Sequence, residues 1–218
     1  MLKINIQLFG GRGSSSSGGF GGGGGLNPAD IVSTNSFVSE RHNYDISDDV
    51  LGTFKDVNDE YGYVINDIHI ATLKGSGMNA IAYYDGANIG WNESFASSKV
   101  LNKSYADCVK SGFHPSNGKK TPAQAVASHE LGHALTDAVG KKMGGGLTID
   151  QSASRILKEA KKKTGDKTMY DVAKKISGYA THSKAEAIAE AFSDVYCNGS
   201  KAKKQSKAIV EVMDSYLK

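Results

Sequence analysis

The chain has 218 residues, with 26 basic against 23 acidic side chains and a net charge of +3, a surplus too small to point to nucleic acid as a partner. No apolar run approaches the ~18 residues of a membrane span, and the apolar stretch at the start is too short and interrupted for a secretion signal. The two cysteines, Cys108 and Cys197, lie far apart and outside any CxxC spacing, which implies no disulfide framework and fits a reducing compartment.

The chain opens with Leu2, Ile4, Ile6 and Leu8 alternating with Lys3, Asn5 and Gln7, the period of a single short strand. Residues 10–25 are then almost wholly Gly and Ser, interrupted by Arg12 and Phe20, a composition that stays flexible and cannot pack a core. Two parts follow from this: 1–25 as a strand-like peptide on a tether, and 26–218 as one globular domain of about 190 residues, enough for a sizeable core. A strand on a loose tether suits addition to another protein's sheet edge.

Within the domain, Ser47 is expected to cap a helix whose apolar stripe is Val50, Leu51, Phe54, Val57 and Tyr61, stopping near Gly62. Val64, Ile65, Ile68 and Ile70 read as a strand, and 78–84 and 87–95 as a β-hairpin around Asp85-Gly86. Residues 98–110 read as a helix, and Gly112-Phe113-His114-Pro115 as a loop; His114 lies near enough to residues 129–133 to invite a role, but a plain loop histidine is the better reading. Thr121-Pro122-Ala123-Gln124 is a strong helix start, with a capping hydroxyl, a proline at the first helical position and a glutamine at N3. Ala125, Val126, Leu131, Ala134, Leu135, Ala138 and Val139 carry that helix to a stop at Gly140. Beyond the break at 144–146, capped helices with basic faces are expected over 148–163 and 168–177, with Lys161-Lys162-Lys163 a solvated end, and a final helix over 204–217. Strands early and helices late make an α+β layout.

The chemistry concentrates in His129-Glu130-Leu131-Gly132-His133 on the helix that starts at Thr121. Residues four apart on a helix lie on one face, so His129 and His133 can hold one cation, while Glu130 reaches a water beside it as a general base. Short patterns of this kind also arise by chance. A third histidine in the HExxHxxGxxH spacing is excluded by Thr136 and Val139. Downstream, Glu186, Glu190 and Asp194 recur every four residues on one helical face. Spacing alone leaves the third ligand open: Glu186 also completes a capping box with Ser183, Glu190 could be the ligand with Asp194 behind it, and His182 is a further imidazole nearby. Tyr179 is one of ten tyrosines.

His129-Glu-Leu-Gly-His133, Tyr179 and Glu186-Ala-Ile-Ala-Glu190-Ala-Phe192 together resemble the lethal-factor-like branch of the gluzincin zinc metallopeptidases, over roughly residues 110–200. The resemblance implies a zincin-like fold, with a small mixed sheet, an active-site helix beneath it and a helical C-terminal half. It implies Zn2+ held by His129, His133 and Glu186, with Glu190 orienting one of these ligands. Glu130 would be the general base and Tyr179, seven residues before the third ligand, the group that stabilises charge on the scissile carbonyl oxygen. By the same analogy Ile89-Gly90-Trp91-Asn92 is the cleft-edge strand that pairs with an extended peptide, although Trp91 taken alone reads as a core anchor.

The opening Met-Leu-Lys-Ile-Asn-Ile-Gln-Leu-Phe-Gly-Gly-Arg-Gly is similar to the start of tailed-phage head proteins encoded in Gram-positive bacteria and their prophages. This implies a location in the bacterial cytoplasm or the phage virion, with head or portal proteins as partners through the N-terminal segment. The expected activity is a zinc-dependent endopeptidase acting on a protein or peptide substrate, with no membrane or nucleic-acid partner. The alternatives are a non-catalytic head-associated interaction protein that keeps the fold, against which an intact Glu130 and Tyr179 argue, and a toxin-like effector protease.

Overall fold

The computed structural model describes residues 27–144 and 146–218. The alternating peptide and Gly/Ser tether expected over 1–25 lie outside the described residues, as does Gly145. The described chain is mixed α+β, with eight α-helices and one four-stranded sheet.

The sheet comprises β1 (Ile31–Ser36), β2 (Ile68–Leu73), β3 (Ala82–Tyr84) and β4 (Ile89–Asn92) in the order β1-β2-β4-β3. β3 and β4 form the antiparallel hairpin expected around Asp85-Gly86, in the register Ala82↔Trp91 and Tyr84↔Ile89. Asp85 Oδ1 accepts the backbone N–H groups of Ala87 and Asn88, which fixes the turn, and Gly86 takes φ +106° there. β4 then runs parallel to β2, and β1 adds antiparallel on β2's other side. Period-two alternation splits the sheet into two faces. Ile68, Ile70, Tyr84, Ile89 and Trp91 join the main core, whereas Ala71, Leu73 and Tyr83 form a small second cluster.

This order corrects one expectation. Ile89, Gly90 and Trp91 are buried in an interior strand hydrogen-bonded on both sides, so β4 offers no free edge to a peptide. Trp91 is fully buried and donates its indole N–H to Phe95 O at 3.3 Å, which makes it a core anchor. Gly90 is required by its neighbour, because a Cβ there would lie 2.1 Å from the Tyr83 ring.

The helices are α1 (Phe37–Glu40), α2 (Ser47–Tyr61), α3 (Ser98–Lys110), α4 (Pro122–Lys142), α5 (Ile149–Thr164), α6 (Met169–Ile176), α7 (Lys184–Asn198) and α8 (Lys204–Leu217). Capping boxes start α4, α5 and α6 at Thr121, Thr148 and Thr168, as their sequences require. Two details differ from expectation. Ser47 is the first residue of α2 rather than its cap, since its hydroxyl donates backward to Arg41 O and Tyr44 O. Gly140 does not stop α4, which continues to Lys142. A Cβ at Gly140 would lie 2.2 Å from Ser152 Oγ, so this glycine admits α5.

The most extensive helix contact is between α4 and α7. A Cβ on Gly132 would lie 2.8 Å from Ala189 Cα, so the helices meet nearly backbone to backbone. Ser128 Oγ and Ser193 Oγ each donate to Ala125 O at 2.9 Å, closing the seam with polar contacts that are internally satisfied. β3 and α2 pack on α4, which therefore lies in the centre of the core with nearly its whole length buried.

Candidate metal centre

The α4–α7 seam brings together the residues singled out in the sequence. His129 and His133 come from α4 and Glu186 from the first turn of α7, each 5% exposed or less. One ligand atom from each lies within 4.8 Å of the others, and among the described residues they are the one His/Cys/Asp/Glu group so arranged. Glu186 Oε2 is 3.0 Å from His129 Nε2 and 3.4 Å from His133 Nε2. Four ligands at the usual 2.0–2.1 Å around a tetrahedral ion stand about 3.3 Å apart, so these two separations already match the edges of such a site.

Hydrogen bonding points the same way. Among the described residues buried His133 makes no hydrogen bond through Nδ1 and has only the 3.4 Å contact with Glu186 through Nε2, while the two oxygens of fully buried Glu130 make none. Buried polar atoms without partners are costly, and a cation at the His/Glu cluster would satisfy the imidazole. The donor set of two nitrogens and one carboxylate oxygen suits Zn2+ and leaves room for a fourth ligand. The residues therefore fit a divalent metal.

The alternatives left open by spacing take distinct places in the structure. Ser183 Oγ caps α7 by accepting the Glu186 N–H at 3.1 Å, but the Glu186 carboxylate turns to the histidines instead of completing a capping box. Glu190 sits one turn on and accepts at Oε1 from His129 Nδ1 at 2.9 Å, behind the ring. Asp194 is engaged elsewhere, with Asn198 Nδ2 and the Lys203 N–H. His182 lies outside the three-residue group, with Nδ1 3.2 Å from Tyr179 O.

Electrostatics separate the carboxylates. Burial pushes the Glu130 carboxyl up to about 7 against the pull of His129 and His133. Burial raises Glu190 too, but His114 and His129 outweigh it and hold that carboxyl at about 2. Burial alone would lower His129, yet its bonds to Glu186 and Glu190 carry it up to about 10. An ionised Glu190 can only accept, so His129 must present Nδ1–H to it and keep the Nε2 lone pair for a cation when neutral.

Tyr179 is buried beside the site, on the short 3-10 turn Tyr179–Thr181, with its ring centroid 6.0 Å from that of His129. Two further side chains meet the site where the sequence favours a plain loop histidine at 114 and singles out nothing at 177: His114 is buried with Nδ1 2.9 Å from Glu190 Oε1, and Ser177 Oγ donates to Glu190 Oε2 at 2.6 Å. Neither belongs to a periodic pattern. The faint signals were a histidine in a Gly/Pro-bounded aromatic loop close before α4, and a serine two residues before Tyr179.

Comparison with protein families, curated proteins and solved structures returned no match. No helix of the described residues is long and apolar enough to cross a membrane.

Proposed function

We propose that the chain is a zinc-dependent endopeptidase of gluzincin type with a zincin-like fold. The observation that carries this reading is Glu130, a fully buried carboxylate with both oxygens unpartnered among the described residues, next in sequence to one member of a buried two-histidine, one-glutamate cluster. A site that served only to hold a metal would have no use for such a group.

His129, His133 and Glu186 would hold the ion. Zn2+ at such a site lowers the pKa of a water toward 7 and polarises a carbonyl oxygen. Glu130 takes the proton from the attacking water and passes it to the leaving amine nitrogen, a role for which a carboxyl pushed up to about 7 is well matched. The hydrogen bond that Glu190 accepts from His129 Nδ1–H keeps the ring in place and its tautomer fixed. Tyr179, on the turn beside His129, supplies a hydroxyl for the developing oxyanion. A role in the phage head or virion rests on the resemblance of residues 1–13 and is carried by none of the site geometry.

Glu130→Gln tests the reading. It should retain metal and lose about 10²–10⁴-fold in hydrolysis of an unstructured protein substrate such as casein. Undiminished hydrolysis in that variant would remove the general-base assignment.

A further inference from the structure

We propose that His114 is a positioning residue of the metal centre, acting through Glu190 on His129. The proposal rests on the metal-centre reading above and adds to it a histidine that the resemblance does not supply.

Glu190 Oε1 takes two imidazoles at once, His129 Nδ1 and His114 Nδ1, each at 2.9 Å, while Oε2 takes the Ser177 hydroxyl. A carboxylate with one partner can rotate about its last torsion and slide along the ring edge. Three donors on two oxygens fix both its plane and its tilt, and so fix the line along which it meets His129. The second N–H on Oε1 also withdraws charge from that oxygen. Glu190 then stays a hydrogen-bond acceptor instead of drawing the proton off His129 or swinging in to become a ligand.

The backbone is arranged to deliver these donors together. Gly178 N–H donates to Gly112 O at 2.9 Å and Tyr179 N–H to Phe113 O at 2.8 Å, so the loop that carries His114 is stitched to the segment that carries Ser177 and Tyr179. The His114 ring stacks on Tyr105, with centroids 5.7 Å apart and planes 11° apart, and meets the Tyr179 ring at 5.2 Å. A histidine serving only as core filler would not need its Nδ1 placed on the same oxygen as a metal-binding residue.

The test measures Zn2+ affinity by chelator competition, and the visible spectrum of the Co2+-loaded protein, for wild type, His114→Leu and His114→Asn. The asparagine amide nitrogen falls where Nδ1 was, so it can restore the donor. Leu should weaken Zn2+ binding about tenfold and alter the Co2+ bands, with Asn recovering most of both. Should the leucine variant not fold, His114→Gln takes its place, since its amide reaches the Nε2 position and misses Oε1. Wild-type affinity and spectrum in the donor-less variant, or an asparagine no better than it, would overturn the proposal. Absence of metal binding by wild type itself would instead bring down the underlying reading, and this proposal with it.

Discussion

His129 and Glu190 are joined by a 2.9 Å hydrogen bond from Nδ1 to Oε1, on the side of the imidazole opposite its 3.0 Å contact with Glu186. One ring thus meets two carboxylates a helical turn apart. Glu186 lies where His133 also reaches it, while Glu190 lies behind His129.

That division sets an order of effects. Glu190→Ala should weaken Zn2+ binding by about 10–100-fold, the usual cost of losing an outer carboxylate. Glu186→Ala should cost more, because it removes a ligand. Chelator competition ranks the two, and the reverse order would shift the ligand register by one turn of α7.

Stability of the metal-free protein should fall as pH rises. The Glu130 carboxyl is raised from 4.5 to about 7 on folding, so the folded state binds more protons than the unfolded chain across that interval, and stability declines through it by roughly 3 kcal/mol. His129 is raised from 6.5 to about 10, so its contribution is complete below 6.5 and disappears as pH rises through 10. Glu190 acts at the other end, its contribution lost as pH falls from 4.5 toward 2. Metal-free protein should therefore be most stable near pH 5 and, with the Glu130 and His129 losses together, melt roughly 10–20 °C lower by pH 8. Added Zn2+ should reverse most of that decline. A flat or rising melting temperature over this range would contradict the charge assignment.

Gly132, the fourth residue of the HELGH segment, has no side chain to offer a metal, yet it sets the approach of α4 to α7. Gly132→Ala would push a methyl to 2.8 Å from Ala189 Cα. The expected cost is about 1–3 kcal/mol in denaturant unfolding, with weakened metal binding because the histidines and Glu186 sit on opposite sides of that seam. Unchanged stability would show that the helices can separate at little cost.

The sequence exposes the parts of this molecule that are local. Thr121-Pro122 and Thr148 announce their helices because capping is settled within four residues, and 98–110 and 204–217 coincide with α3 and α8. The three site residues, with Glu190 behind them, are found by helical spacing and by resemblance. What is missed depends on distant partners. The place of β4 inside the sheet is decided by β2 and β3 together, and an isolated strand pattern says nothing of its neighbours. β1, a short and largely exposed strand of Ile, Val, Ser, Thr and Asn, shows no clear alternation of its own. Gly140 reads as a stop until α5 is placed against it, and His114 gains a role only when α7 brings Glu190 to it.

The proposed chemistry depends on a bound metal. Elemental analysis of purified protein, comparing wild type with His133→Ala and Glu186→Ala at equal concentration, tests it most directly. One zinc per chain is expected in wild type, with its loss in both variants. No stoichiometric metal in wild type after reconstitution, or full occupancy in either variant, would contradict it.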